Sequence, residues 1–150
     1  MYKYISQIWR KIWSDSSYAK NYLEKKKVWR REKTVQRIDK PSRLDKARAL
    51  GYKAKPGYVM VRVKVSRGGL RKVPPSMGRR QKRTGISKIK RQISLQDIAE
   101  NKARRKYRNL RILGSYYVGE DGRYRWFEVV MVDPTLLPGG GVGRHNFKSI

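Results

Sequence analysis

The chain contains no cysteine and a single histidine among its 150 residues. Without cysteine it cannot form disulfides, thiolate zinc sites or a thiol nucleophile, and this absence fits a reducing compartment. Carboxylates are also scarce, with 11 Asp and Glu against 39 Lys and Arg. Glu120 and Asp121 are the one adjacent pair, and a turn explains them without any need for an acid–base pair. We therefore predict no enzyme, no catalytic residue, no metal site, no cofactor and no small-molecule substrate.

Long apolar runs are missing as well. The most apolar stretch, at residues 1–13, is interrupted by Lys3, Arg10 and Lys11. It is too short and too charged for a signal peptide or a membrane span, so we expect the chain to stay in the compartment where it is made. Its apolar residues recur at the spacing of one helix face, which predicts an amphipathic helix that packs on the core or, alternatively, lies on a membrane surface: Ile5, Ile8, Trp9, Ile12 and Trp13.

Negative charge is absent over one long segment. Between Asp45 and Asp97 lie 51 residues that contain sixteen Lys and Arg and no carboxylate. The chain as a whole has a net charge of +28, which implies a polyanionic partner, because basic residues that neutralise phosphates release counterions. A solvated charged surface is the alternative, but the amount of charge favours nucleic acid.

The predicted nucleic-acid-binding residues lie in and around this segment. Tyr52, Tyr58 and Tyr107 stand beside basic residues, where they either stack on unpaired bases or pack against the sheet. Arginine and lysine are mixed with glycine at Ser66–Lys72 and Gly78–Gly85, which lets the backbone approach phosphates while each arginine binds two phosphate oxygens. The predicted site comprises Lys46, Arg48, Tyr52, Lys53, Lys55, Arg62, Lys64, Arg67, Arg71, Lys72, Arg79, Arg80, Lys82, Arg83, Lys88, Lys90 and Arg91.

Periodicity and capping signals predict a mixture of helices and strands. A second helix is predicted from Ser17 to about Lys33, with a basic surface, and a short third helix from Ser42 to Leu50. Capping boxes are expected where Ser42 precedes Asp45 and where Ser94 precedes Asp97, the latter opening a helix to about Arg105. Gly51 is expected to end the third helix.

Three strands are predicted from alternation and β-propensity. From Tyr58, the valines at 59, 61, 63 and 65 share one face, which predicts a half-buried strand with a partly cationic outer face. Leu110–Val118 and Arg123–Val132 predict a hairpin joined by a turn at Gly119–Gly122. Glu128 is expected to be a paired carboxylate at the edge of the core.

Two segments are predicted to lack regular structure. Residues 66–92 combine ten basic residues with glycine and proline, so we expect a basic loop that becomes ordered on a partner. Residues 135–150 form a glycine-rich tail without periodicity, which predicts an irregular end.

Several motifs together resemble the archaeal and eukaryotic large-subunit ribosomal protein fifteen family, which is unrelated to the bacterial protein of the same number. The resemblance is carried by the opening Tyr2–Ile5, the stretch Leu44–Val59, the Arg67–Gly69 triplet, Ser94–Glu100, and the segment from Gly114 to Pro134. It implies one α+β domain at residues 1–134, with a β-(α)-β-α-β-β order on a small antiparallel sheet and a first strand at Thr34–Ile38.

The resemblance also implies a function and a location. It implies a cytoplasmic protein of the large ribosomal subunit that binds ribosomal RNA and touches neighbouring ribosomal proteins, with no membrane partner. Family members usually continue into a further basic arm, whereas here a glycine-rich tail follows Pro134. RNA contacts of that arm are therefore expected to be absent or made by another protein.

Two other classes of protein are the alternatives. A DNA-compacting chromatin protein would carry the same charge and would bind any duplex with an affinity that grows with duplex length. A membrane-active cationic protein would use the face of Trp9 and Trp13 and would bind vesicles through its N-terminal helix. The resemblance favours the ribosomal RNA binder over both.

Overall fold

The structure is a computed structural model that describes residues 2–11, 15–68, 73, 75, 77–78, 80–86 and 91–136. In these residues four helices accompany one antiparallel sheet of four strands, as the α+β prediction requires. In chain order the elements are α1 (Tyr2–Lys11), α2 (Ser16–Arg31), β1 (Val35–Ile38), α3 (Leu44–Ala49), β2 (Tyr58–Ser66), α4 (Leu95–Lys106), β3 (Arg111–Glu120) and β4 (Tyr124–Val132). Short 3₁₀ turns occur at Gln81–Arg83 and Pro134–Leu136.

The sheet has the strand order β1-β2-β4-β3, so β2 and β4 are central and β1 and β3 are its edges. Val63 lies opposite Val35 on one side and Phe127 on the other. The β3–β4 pairing is interrupted by register shifts between Ile112 and Gly114 and between Tyr117 and Gly119. The carbonyl oxygens of Ser115 and Val118 accept hydrogen bonds from the side chains of Gln96 and Tyr22.

One face of the sheet, here called the valine face, is covered by α4. Val61, Val63 and Val65 project from β2 because alternate residues of a strand share a face. Ala99 and Ala103 of α4 are fully buried against them, and their small side chains let the helix approach the sheet closely. The predicted valine alternation is confirmed.

The opposite face, here called the aromatic face, is covered by the first three helices. Met60 and Trp126 from the central strands meet Tyr22 and Trp29 of α2 and Ala47 of α3. The prediction that β2 is half-buried with a partly cationic outer face was wrong, since Met60 and Arg62 are 2% and 9% exposed. The sheet is buried on both faces because helices pack on each side.

Helix α1 joins the aromatic face through Trp9, as the core-facing interpretation predicts. The ring of Trp9 meets Tyr22 edge-on at 5.8 Å between centroids. Ile8 is 51% exposed, so the predicted apolar stripe is buried in part. Ile12 and Trp13 lie outside the described residues.

The two predicted capping boxes have different outcomes. At α4 the box is confirmed: the Asp97 amide donates to Ser94 Oγ at 3.1 Å and the Ser94 amide donates to Asp97 Oδ2 at 3.3 Å. At α3 the prediction was wrong, because Arg43 is the N-cap and no side chain caps the helix. Ser42 Oγ donates instead to Glu128 Oε1 at 2.5 Å and accepts from Arg62 Nη2 at 3.4 Å, so the side chain is directed to this buried ion pair and not to a helix amide.

Gly51 ends α3, as predicted. Its φ of +91° is the left-handed conformation that glycine adopts without strain. The Gly51 amide donates to the Arg48 carbonyl and the Tyr52 amide donates to the Ala47 carbonyl, both at 3.0 Å, which is the Schellman pattern. This turn directs Tyr52 into the core against the buried Ala47.

The hairpin of β3 and β4 is confirmed, but its turn is shorter than predicted. Gly119 belongs to β3, and the turn consists of residues 121–123. Asp121 Oδ1 accepts the amides of Arg123 and Tyr124 at 2.8 and 2.6 Å, so a side chain organises the turn. Gly119 is needed for packing instead, since a Cβ there would lie 1.8 Å from Tyr22 Oη.

The predicted irregular segments fall mostly outside the described residues. In the 66–92 loop, residues 69–72, 74, 76, 79 and 87–90 lie outside them, and the described remainder includes the 3₁₀ turn Gln81–Arg83. Residues 137–150 of the tail also lie outside, while Thr135 and Leu136 belong to the second 3₁₀ turn. The prediction that the loop becomes ordered on a partner stays a prediction.

The close approach of Tyr22 to Gly119 allows the effect of a substitution on stability to be predicted. Replacement Gly119→Ala should lower the free energy of unfolding by about 1–3 kcal/mol, because the added methyl displaces the Tyr22 ring from a well-packed core. Gly122→Ala in the same hairpin should change it by less than about 0.5 kcal/mol, since no atom lies within 4 Å of the new Cβ. Urea denaturation followed by tryptophan fluorescence measures both. Equal effects of the two substitutions would contradict the packing role of Gly119.

Candidate nucleic-acid interface

The structure divides the predicted nucleic-acid-binding residues into four groups. Eight of them are exposed: Lys46, Arg48, Lys53, Lys55, Arg67, Arg80, Lys82 and Arg83. Lys64 and Arg91 are half-buried, and Tyr52 and Arg62 are buried. Arg71, Lys72, Arg79, Lys88 and Lys90 lie outside the described residues.

Four of the exposed residues form one group around α3, here called the α3 cations: Lys46, Arg48, Lys53 and Lys55. Local geometry explains their exposure. Ala47 takes the inward position of the short helix, between Lys46 and Arg48. The turn at Gly51 then buries Tyr52, which leaves the neighbouring Lys53 and Lys55 exposed. In the described part of the chain no ion pair engages any of the four. Their charges are therefore available to an external anion.

Arg62 is buried, and its side chain makes its contacts inside the protein. Its guanidinium lies 4.2 Å from the Trp29 ring centroid and donates to both oxygens of Glu32 at 3.2 Å. On the other side it meets Glu128, its cross-strand partner, at 3.4 Å. This arginine is therefore a core cation.

Glu128 is the most enclosed charged group in the described residues, with 0% exposure. In addition to its ion pair with Arg62, the carboxylate accepts three hydrogen bonds. The donors are the Ser42 amide at 2.9 Å, the Ser42 hydroxyl, and the Tyr116 hydroxyl at 2.6 Å. The expectation of a paired carboxylate is confirmed, although it lies within the core and not at its edge. Burial, together with the neighbouring Glu128, raises the pKa of Tyr116 well above its usual value, which keeps that hydroxyl a donor.

Lys64 and Arg67 organise the end of the sheet where the hairpin turns. Lys64 Nζ donates to the carbonyls of Arg30 and Glu32 at 2.9 Å, placing a positive charge at the C-terminal end of α2 where the helix dipole favours it. Arg67 Nη1 donates to the Asp121 carbonyl at 3.2 Å and lies 3.6 Å from Glu120. Both residues hold structure while their charges remain near the surface.

Further arginines, which the sequence prediction missed, gather at the same end. Arg30 from α2 donates to Asp121 Oδ2 at 2.7 Å, Arg125 pairs with Glu120, and Arg123 is exposed. Burial alone would raise the pKa of Asp121, but hydrogen bonds from the Tyr124 and Arg123 amides and the Arg30 guanidinium lower it below the usual value. The carboxylate therefore stays charged and orients Arg30.

The surface of α2 is a second missed group. Lys20, Lys25, Lys27, Arg30 and Arg31 are exposed, whereas Lys26 is buried with its Nζ 4.6 Å from the Tyr22 ring centroid. Periodicity does indicate a basic polar face for this helix, but the acid-free window that defined the predicted site begins after it. The charge therefore extends beyond that window.

The carboxylates are mostly engaged within the protein. All eleven lie among the described residues, and six of them form ion pairs: Glu24, Glu32, Asp45, Glu120, Asp121 and Glu128. Three more, Asp97, Glu100 and Asp133, accept hydrogen bonds from serine or threonine hydroxyls. Ion pairs engage more than half of the carboxylates, and all eleven together are far outnumbered by the 39 Lys and Arg, so the surface as a whole attracts polyanions.

Other kinds of site find no support in the described residues. No group of three or more His, Asp and Glu that could hold a metal ion occurs there. No helix among them is both long enough and apolar enough to cross a bilayer.

Comparison with protein families gives one match over most of the chain. Residues 1–137 match the family described as Ribosomal L15. The match includes all four helices, the complete sheet and the α3 cations.

The burial of the Glu128 carboxylate leads to a second prediction about stability. Glu128→Gln should lower the free energy of unfolding by about 3 kcal/mol, the lower end of the range for a broken buried pair, because Glu32 still contacts Arg62. Glu24→Gln removes the same charge from a pair with Lys27 that is more than half exposed, so it should change stability by less than about 1 kcal/mol. Urea denaturation compares them. Similar losses in both variants would show that Glu128 does not stabilise the core.

Proposed function

The chain belongs to the ribosomal L15 family, and we propose that it binds and stabilises folded ribosomal RNA through its exposed cations. The family membership confirms the resemblance seen in the sequence and makes the protein a structural constituent of the large ribosomal subunit, with a role in translation. Such proteins are generally not enzymes. The proposal concerns the partner, the surface and the mechanism.

The observation that carries the proposal is the unequal distribution of the two signs of charge. Nine of the eleven carboxylates are engaged in ion pairs or hydrogen bonds within the protein, while the α3 cations have no such partner among the described residues. A surface of this kind gains free energy next to phosphates, because each contact releases counterions from the RNA. Arginine adds geometry, since its fork takes two phosphate oxygens at once.

Two cationic regions, the α3 cations and the arginines at the hairpin turn, suit a folded RNA better than a single strand. The α3 cations lie near Tyr58, the first residue of β2, whereas Arg67 and the hairpin turn lie at the other end of that strand. A strand of nine residues separates the two ends by about 30 Å. Contacts at both ends would hold two RNA segments at a fixed distance, with residues 1–134 acting as one domain.

The chromatin alternative has no support from the family match, which points to the ribosome. We extend the proposal to neighbouring proteins of the large subunit as further partners and to cytoplasmic ribosomes as the location.

Sedimentation tests the assignment. In a sucrose gradient of a cell lysate, the chain should travel with the large subunit and remain there after a high-salt wash that removes peripheral cationic proteins. Recovery with bulk DNA, or at the top of the gradient, would contradict the proposal and would favour a general polyanion binder. Competition with duplex DNA at matched phosphate concentration adds a check, because a structured RNA site should lose little protein to it.

The α3 cations predict a measurable change in salt dependence. The double variant Lys53→Gln, Lys55→Gln should make the slope of log K against log salt less steep by about 1.4–1.8, at 0.7–0.9 per lost phosphate contact. The control Lys33→Gln, Lys40→Gln removes two exposed charges from either side of β1 and should leave the slope nearly unchanged. Filter binding of the full chain to large-subunit ribosomal RNA measures both. An equal change in the two slopes would mean that total charge, not the α3 surface, determines binding.

A further inference from the structure

A pocket opens on the surface between α1, α2 and the segment before α3. Its volume is about 250 Å³. Aromatic rings dominate its lining, which consists of Ser42 and of Trp9, Tyr18, Asn21, Tyr22, Lys25 and Trp29. None of these residues belongs to the predicted nucleic-acid-binding set.

Three of the four rings, those of Trp9, Tyr22 and Trp29, are fixed before any ligand binds. Tyr22 meets Trp9 and Trp29 edge-on, each at 5.8 Å between centroids, and its hydroxyl donates to the Val118 carbonyl at 2.7 Å. The Arg43 guanidinium lies 4.9 Å from the Trp9 ring centroid and holds that ring from outside α1. A preformed site costs little ordering when a ligand enters.

The polar groups at the pocket are few and suit a nucleotide. The Asn21 amide offers both a donor and an acceptor, as the edge of a base requires. The Ser42 hydroxyl is already engaged, because it donates to Glu128 and accepts from Arg62 Nη2 at 3.4 Å, so Asn21 and Lys25 are the polar groups left for a ligand. Lys25 is exposed and adds a positive charge for a phosphate.

The surrounding charge selects an anionic partner. Helices α1 and α2 together contain nine lysines and arginines and a single carboxylate, Glu24. A neutral apolar side chain would gain nothing from these cations, whereas a nucleotide would satisfy both the rings and the charges. The volume also fits a small group, since sites for drug-sized ligands begin at roughly 300 Å³.

We propose that this pocket receives one unstacked base of ribosomal RNA. The inference rests on the proposed function and adds a recognition element to it. Proteins that read RNA sequence commonly bind splayed-out bases by stacking them on aromatic rings and by hydrogen bonds to the base edge. Here Tyr18 supplies the most exposed ring, Asn21 the edge contact and Lys25 the phosphate contact.

Stacking and phosphate neutralisation differ in their salt dependence, which separates this pocket from the α3 cations. Tyr18→Ala should weaken binding of the full chain to large-subunit ribosomal RNA by about tenfold, with an unchanged salt slope. Tyr18→Phe keeps the ring and should bind like the parent chain. Tyr4→Ala removes a ring that is 70% exposed on α1 and outside the pocket, so it should have no effect.

Ultraviolet crosslinking of the unmodified chain to the same RNA gives a readout that needs no variant. A base in the pocket should leave a nucleotide adduct on Tyr18 or Trp9, located by mass spectrometry. Crosslinks confined to other residues, together with unchanged binding of Tyr18→Ala, would overturn the pocket while the salt slope of the Lys53 and Lys55 variant still supports RNA binding. If the unmodified chain binds no ribosomal RNA, the proposed function itself fails.

A third result would also overturn the proposal: the Tyr18→Ala variant binds isolated RNA normally but does not enter the large subunit. The pocket would then bind a protein and not a base. The free energy of unfolding of this variant, measured in urea, should stay within about 1 kcal/mol of the parent in every case, because Tyr18 is 43% exposed.

Discussion

The buried Glu128 carboxylate joins parts of the chain that are far apart in sequence. It accepts hydrogen bonds from Ser42 and Tyr116 and pairs with Arg62, which in turn pairs with Glu32. Strands β2, β3 and β4, the end of α2 and the start of α3 are thereby fixed to one another. A buried charge without these partners would cost several kcal/mol, so each contact requires the others. The aromatic pocket and the α3 cations take their positions from this arrangement.

The same network explains how a chain with a net charge of +28 folds around a core. The few carboxylates are placed where they neutralise cations that the fold needs, such as Arg62 and Arg30. Cations that have no structural task remain at the surface. Folding thus divides the positive residues into two sets, and the second set remains available to an anionic partner.

Local patterns predicted the elements well because their causes are local. The Ser94 capping box, the Gly51 turn and the valine alternation each depend on residues a few positions apart. Ser42 was misassigned because its partner is a carboxylate 86 residues away. Alternation along the strand predicts Arg62 at the surface, and for Tyr52 the sequence leaves base stacking and packing against the sheet as alternatives. Both residues are buried by tertiary packing, which local patterns do not contain. The pocket unites three separate segments, so no single stretch of sequence announces it.

The irregular edge of the sheet has a consequence for the life of the protein before assembly. An unpaired flat edge strand is a template on which a second chain can extend the sheet. Edge strand β3 breaks register twice, and the side chains of Gln96 and Tyr22 occupy two of its carbonyls. Chains that are not yet part of a ribosome therefore present an interrupted edge to one another. This disfavours sheet extension between chains, and with it fibrous aggregation, so each chain stays available for incorporation.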